Sequence, residues 1–369
     1  MSRYSRTIIA LILVLLVTVV ACKTTPVAKR PAVRKVDFPQ TLEDDLGRKV
    51  VIEKEPKRII SLAPSNTEIL FALELDDRIV GVTTYCDYPE EAKVKNKIGG
   101  FKDVNIEKVV SLKPDLVLAT GGVQEPIVKE LERLKVTVFT LDPKNLDDII
   151  TGIREVGRLT GKTEAAERVV KKMQSVIEDV KEKVAGLKRE RPKVFYEVWN
   201  EPLMTAGPGT FINDLIRLAG GENIAADAKT QYPQYSLEML IERDPDVIIA
   251  SKGSMGDPGK IKEREGWENI SAVKNGRVHV IDENLVVRPG PRIVQGLREV
   301  AKAIHPELFN KAIHPELFKL VIEPSLGVGE ESLNAVDVVL PLTYSSLPCK
   351  TLWCLPRKER TPYPLKSSV

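Results

Sequence analysis

Apolar residues along this chain follow two periods. Short apolar-rich runs at Arg58–Leu62, Ile79–Val82, Asp115–Ala119, Val136–Leu141, Lys193–Trp199, Asp246–Ala250 and Val278–Ile281 read as buried strands. Segments with helical spacing lie between or after them: Gln124–Leu134, Asn145–Leu159, Phe211–Leu218, Leu237–Glu242 and Arg292–Ile304. Strands separated by helices predict βαβ units and a largely parallel sheet. After the first run, Ser65 and Glu68 have the spacing of a capping box ahead of the apolar ILFALEL, so Ser65 is expected to start a helix there. Capping alone accounts for Ser65 to Thr67; a polar ligand group at that helix N-terminus is the alternative.

One segment differs in length. Ala166, Val169, Val170, Met173, Val176, Ile177, Val180, Val184 and Leu187 keep helical spacing through Thr163–Leu187. A helix of that length is a rod of roughly 37 Å. Strand and helix alternation restarts after it, which predicts two α/β lobes joined by one long helix. Asn105–Ala119 (NIEKVVSLKPDLVLA) also aligns without gaps on Ser236–Ala250 (SLEMLIERDPDVIIA), matching Glu107 with Glu238 and Pro114-Asp115 with Pro245-Asp246. Two halves built on one plan predict pseudo-symmetric lobes with a ligand cleft between them. An acid in a first helical turn is favoured by the helix dipole alone. As a pair on equivalent surfaces, the two glutamates are also matching docking points for a two-fold symmetric partner.

The ends have another character. Met1–Arg6 is short and basic, Thr7–Ala21 is apolar or small, and Val19-Val20-Ala21-Cys22 follows. The run is short for a membrane span and suits the apolar core of a signal peptide. The expected organisation is a signal peptide over 1–21, a polar tether over 22–38, an N-terminal lobe over 39–162, the connecting helix over 163–190, a C-terminal lobe over 191–318 and an atypical tail over 319–369. The tail begins where KAIHPELFN at Lys302–Asn310 is nearly repeated at Lys311–Lys319, and it reads as a tandem duplication followed by an altered, mostly disordered end. A partner-binding tail is the alternative.

Composition narrows the function. The chain of 369 residues has a formal net charge of +3, but residues 39–318 hold 42 bases against 46 acids. That balance lacks the basic excess that phosphate-backbone binding needs, so nucleic acid is excluded as an expected partner. There is no GxSxG, GxxxxGK[ST], HExxH or GxGxxG after a strand. His279, His305 and His314 are too few for a histidine-rich metal site, and His305 and His314 read as helix-end residues before proline. Cys86, Cys349 and Cys354 form no CxxC, though an exported Cys349–Cys354 disulfide is open. No catalytic residue, metal site or cofactor is expected, and a surface α/β enzyme is the less favoured alternative.

Several stretches carry a resemblance. RIISLAPSNTEILFAL, VGVTTYCDYP and LKPDLVLATGG in the first half, with LMTAGPGTFINDLIRLAGGENI, YPQYSLEML and RPGPRIVQGLREVAKAIHPELF in the second, resemble the cobalamin and iron-siderophore periplasmic binding proteins that feed ABC importers. The resemblance covers about Phe38–Phe309, and Tyr-Cys-Asp-Tyr-Pro with the Gly-Gly-Phe region favours the cobalamin branch. It implies two Rossmann-like lobes on one long helix, in the manner of the helical-backbone metal and cobalamin receptors. It also implies a corrinoid captured between them, with a ferric siderophore or haem as the alternative cargo. Tyr85, Phe101 and Tyr232 fall where the family has cleft aromatics, Met204 where an aromatic often stands, and Arg288 at a polar cleft position. Glu107 and Glu238 match glutamates that dock arginines of a permease dimer bearing ATPase subunits. Thr120 departs from the tryptophan of a cobalamin-binding relative. The Val-Val-Ala-Cys stretch resembles a lipobox, which implies Cys22 as the lipid-attachment residue. The implied protein is a monomer, exported and anchored to the cell envelope through its N-terminal lipid.

Overall fold

A computed structural model describes residues 36–188, 190–252 and 261–309. The expected signal peptide, Cys22, nearly all of the tether, His314, the second KAIHPELF copy and Cys349–Cys354 lie outside the described residues. The N-terminal lobe opens with an antiparallel hairpin, β1 (Gln40–Glu43) and β2 (Lys49–Ile52), which the apolar pattern does not announce. Asp44 at its turn is buried and accepts the Thr140 N–H at 3.0 Å, tying the hairpin to the lobe.

The lobe's sheet contains β3 (Ile59–Ser61), β4 (Ile79–Val82), β5 (Leu116–Thr120) and β6 (Val138–Leu141), all parallel, in the order β4-β3-β5-β6. Its helices are α1 (Pro64–Ala72), α2 (Ile106–Ser111), α3 (Glu125–Arg133) and α4 (Leu146–Leu159). Helix α5 (Thr163–Ala185), 23 residues and about 35 Å long, leads to the second lobe. There β7 (Lys193–Asn200) is followed by β8 (Leu203–Thr205), α6 (Phe211–Leu218), β9 (Glu222–Asn223), α7 (Leu237–Arg243), β10 (Val247–Lys252), α8 (Ser271–Lys274), β11 (Val278–Asp282), α9 (Glu283–Val286), α10 (Ile293–Ile304) and α11 (Pro306–Phe309). The order is β11-β10-β7-β8, with β9 beside the start of β7; only β8 runs antiparallel. The α/β class with two lobes on one long helix is the observed architecture. No described helix is long and apolar enough to cross a membrane.

The internal repeat extends to backbone geometry. Asn105 caps α2 by accepting the Lys108 N–H, and Ser236 caps α7 by accepting the Met239 N–H. Lys113 and Asp244, which align, are both left-handed, at φ 46° and 40°. Asp115 accepts the Lys57 and Arg58 N–H groups, and its counterpart Asp246 accepts that of Lys193. The recurring Pro-Asp therefore ties each central helix–strand turn to the start of a neighbouring strand.

The strands alternate two apolar faces. Ile59, Leu116 and Leu118 point to the same core as Val194, Tyr196, Val247 and Ile249 of the other lobe. That core is continuous, because the buried stripe Ala166, Val169, Val170, Met173, Ile177 and Val180 of α5 runs through it. The helix packs on α1 and α4 at one end and on α6 and α10 at the other. Ile60, Val117 and Ala119 face a smaller core of their own lobe, as do Phe195, Ile248 and Ala250. The length of the chain allows two separate cores; the α5 stripe merges them into one.

The α1 capping box is not formed. Ala63 is the N-cap, Pro64 takes the first turn, and no side chain caps the helix. Pro64 has no N–H to satisfy and a φ already suited to a helix, so the turn needs no Ser65 oxygen. Every residue from Ser65 to Ala72 is buried, which leaves the Glu68 carboxylate inside the protein. Arg292 of the other lobe meets it with two hydrogen bonds, Nε–Oε2 at 2.9 Å and Nη2–Oε1 at 2.6 Å. Arg288 adds a contact at 3.3 Å, and the Arg292 guanidinium lies 3.8 Å from the Tyr88 ring centroid. Burial pushes the Glu68 carboxyl up against the opposing pull of both guanidiniums. Gly290 passes so near that a Cβ there would lie 3.3 Å from the Ser65 carbonyl oxygen. A second tie is the Leu146 N–H, donated to Asp214 at 3.2 Å.

Removing one partner leaves the other charge buried, so Glu68→Leu or Arg292→Met alone should lower unfolding stability by about 3 kcal/mol or more. The double replacement should be more stable than either single one in denaturant titrations. Additive losses would overturn this account of the pair. A separate expectation concerns Glu155 on α4, whose carboxyl rises from 4.5 to about 6 through burial and then the charges of Asp45 and Asp44. The folded state disfavours its ionised form, so the cost is absent below pH 4.5, grows to pH 6 and stays above it. Screening reduces that cost to about 1 kcal/mol. Glu155→Gln should raise stability by that amount at pH 7.5 and leave it unchanged at pH 4.

Candidate ligand cleft

In open α/β sheets, ligands bind beyond the carboxyl ends of the strands. At that end of the N-terminal lobe, Gln124 organises the loops. Fully buried, it donates its amide to the Leu62 and Phe101 carbonyls at 2.8 and 2.9 Å, and its Oε1 accepts the Thr120 N–H at 2.9 Å. The loops after β3 and β5 and the Phe101 loop are thereby held as one surface. The Thr84 N–H donates to the Gly99 carbonyl at 2.9 Å, which brings the Tyr85 loop alongside. Tyr85 is 54% exposed and Phe101 half-buried, so two aromatic groups stand together at the strand ends. Nothing in the repeat or the periodicity marks Gln124; its signal is a lone amide at a strand-to-helix turn.

Thr120, at the end of β5, has a buried hydroxyl with no hydrogen-bond partner. Asp142, at the end of β6, is packed so closely on Gly121 that a Cβ there would lie 2.6 Å from its carboxyl carbon. Its N–H is held by Asp45, and its carboxylate pairs with Lys144.

The facing lobe contributes β8 and the segment it pairs with. The Thr205 N–H donates to the Pro233 carbonyl at 3.1 Å, and the Tyr235 N–H to the Leu203 carbonyl at 2.8 Å. This places Met204 on one extended segment and Tyr232 on its neighbour. Tyr232 is 42% exposed; partial burial and then the Asp142 carboxylate raise its phenol. Trp199, at the end of β7 and opposite Met204 in register, is 39% exposed and donates its indole N–H to the Glu201 carbonyl. It supplies an aromatic group beside Met204, but within the run KVFYEVW it reads as one more core position.

Arg288 follows β11 and α9 at the junction of the lobes. Its Nη1 donates to Asp87 at 2.6 Å and to Glu68 at 3.3 Å. Burial raises the Asp87 carboxyl, but the hydrogen bond and charge of Arg288 outweigh it and hold the group below its ordinary range. Glu68, Arg292 and Asp87 are the site-shaping residues that sequence reasoning misses. The available signal is an acid inside a helix with no polar face.

Glu107 and Glu238 lie in the exposed first turns of α2 and α7. Hydrogen bonds from its own N–H and from Ser236 hold the Glu238 carboxyl below its usual value. Each has an exposed apolar residue one turn on, Val110 and Ile241. His305 is buried at the C-cap of α10, its Nε2 3.3 Å from the Gly220 carbonyl oxygen, while His279 is lowered by partial burial and the charges of Arg277 and Lys262. Among the described residues no group of three or more His, Cys, Asp or Glu could hold a metal ion. A surface cavity of about 860 Å³, lined by Arg191, Lys193, Asp246 and Arg277, opens at the amino ends of β7 and β10, on the opposite side from the cleft aromatics.

The family model described as periplasmic binding protein matches residues 59–285. An uncharacterized ABC transporter substrate-binding lipoprotein of Bacillus subtilis is 39% identical over 280 residues, spanning 74% of this chain and 88% of the relative. A cobalamin-binding protein of Halobacterium salinarum is 32% identical over 294 residues, 76% of this chain and 78% of its own length. The crystal structure of a possible iron-binding, periplasmic solute-binding protein from Staphylococcus epidermidis superposes with a TM-score of 0.61 at 34% identity, covering 68% of this chain and all of that one. The two-lobe geometry and these likenesses agree: the chain belongs to the periplasmic binding protein family and is a solute-binding protein of the kind that serves ABC importers.

Proposed function

We propose that this protein captures a corrinoid between its lobes and delivers it, without catalysis, to the permease dimer and ATPase subunits of an importer. The observation that carries the reading is the pair of exposed aromatic groups at facing strand ends, Tyr85 on one lobe and Tyr232 on the other. Phe101, Met204 and Trp199 extend these walls. Flat aromatic faces suit a large macrocycle, and the likeness to a cobalamin-binding protein supports the same cargo. Cys22 carries the lipid that keeps a monomeric body at the outer face of a membrane, a role supported by the lipoprotein relative. The rival cargo is a ferric siderophore or haem. The iron-binding neighbour favours it, and the absorbance spectrum of bound ligand separates the cases.

Titration of the full chain in mild detergent with cyanocobalamin should give a sub-micromolar Kd. Tyr85→Ala or Tyr232→Ala should weaken it about tenfold, the equivalent of one lost aromatic contact. Binding of a ferric siderophore or haem with silence toward cobalamin would overturn the cargo and keep the transport role. Glu107→Lys combined with Glu238→Lys should abolish cobalamin uptake in cells while leaving ligand affinity intact. Unchanged uptake would remove the two helices as the docking surface.

A further inference from the structure

Arg288 is the one cationic group expected to greet a ligand, and it is already engaged. Its Nη1 is shared between Glu68, which is inaccessible to solvent, and Asp87, whose side chain is 50% exposed. Arg292 spends its charge on Glu68 with two short hydrogen bonds. Two carboxylates and two guanidiniums therefore balance, and no net positive charge is left to attract an anion. The Asp87 carboxylate lies on the loop after β4 that presents Tyr85, while Arg288 follows β11 and α9, so their hydrogen bond bridges the lobes past the carboxyl ends of β4 and β11. The Asp142 carboxylate, at the end of β6, is likewise matched by a cation, Lys144.

From this geometry we infer that Asp87 is a specificity residue, a resident counter-ion that occupies Arg288 and selects for ligands without net negative charge at this edge of the cleft. The inference deepens the corrinoid reading and rests on the same cleft. A ligand carboxylate or phosphate reaching Arg288 must displace Asp87 from a 2.6 Å charge-assisted hydrogen bond, or sit beside its charge. A neutral amide pays neither penalty, because it can accept from the guanidinium's remaining N–H groups. Selectivity here is built from repulsion as much as from attraction, and it disfavours acidic siderophores and haem propionates relative to the amide-edged corrin.

The test compares pairs of ligands in which one member carries peripheral carboxylates that its partner holds as amide or ester. Cyanocobalamin is set against its three peripheral monocarboxylic acids, each with one amide hydrolysed, and hemin against its dimethyl ester. The quantity read is the ratio of Kd for the anionic member to Kd for the neutral one, from Trp fluorescence titration of the full chain in mild detergent. The wild type should show a ratio of about ten or more for at least one acid. Asp87→Asn, and independently Asp87→Ser, should reduce that ratio at least fivefold. If corrinoids bind and every ratio is the same in wild type and both variants, the inference fails while the corrinoid reading stands. If corrinoids do not bind but the hemin ratio falls in the variants, the inference stands and the cargo assignment fails. Silence with every probe overturns both.

Discussion

The carboxylate of Glu68 is the constraint around which the two lobes are arranged. An acid taken wholly out of water is tolerable only where cations meet it, and both cations come from the opposite lobe. The junction is therefore registered to within the reach of a hydrogen bond. Any rotation of one lobe against the other must first unpair a buried charge. The close approach of Gly290 to the Ser65 carbonyl belongs to the same fit, since a bulkier residue would hold the guanidiniums away. In this arrangement the cleft is a preformed shape, with its aromatic walls at a fixed separation.

Packing reinforces the same conclusion by different means. The inner faces of both sheets share one apolar core with the buried stripe of α5, and α4 of the first lobe also touches α6 of the second. The outer faces keep private cores. Hinge motion between lobes is the default where an interface is small and polar. Here the interface is the main hydrophobic core, so bending it would expose the most deeply buried residues of the protein.

Much of this was legible in the sequence because it depends on periodicity. The strands alternate, the α5 stripe repeats every three or four residues, and the duplicated Pro-Asp turns can be aligned by eye. Tyr85, Phe101, Met204 and Tyr232 are brought together pairwise on the two lobes, each on a segment flanking a strand the pattern reveals. What stayed hidden depends on contacts distant in the chain. Glu68 sits where a capping box would place it, and local spacing offers no hint that Pro64 has made the cap redundant or that its partners lie 220 and 224 residues away. Gln124 is equally silent, because its three partners come from three separate loops. Trp199 is masked by its apolar neighbours, although the register of β7 on β8 turns it outward.

The shared core changes what the internal repeat means. Two copies of a helix–turn–strand plan, down to matching left-handed residues at Lys113 and Asp244, describe halves that would each resemble a self-sufficient unit. Yet the inner faces of both halves, with the helices α1, α4, α6 and α10 that pack on them, share one core through the rod between them. The symmetry is thus one of design and not of autonomy: a chain severed at Gly161 would yield two fragments with complementary sticky faces, each carrying half of a seam that only reassembly can seal.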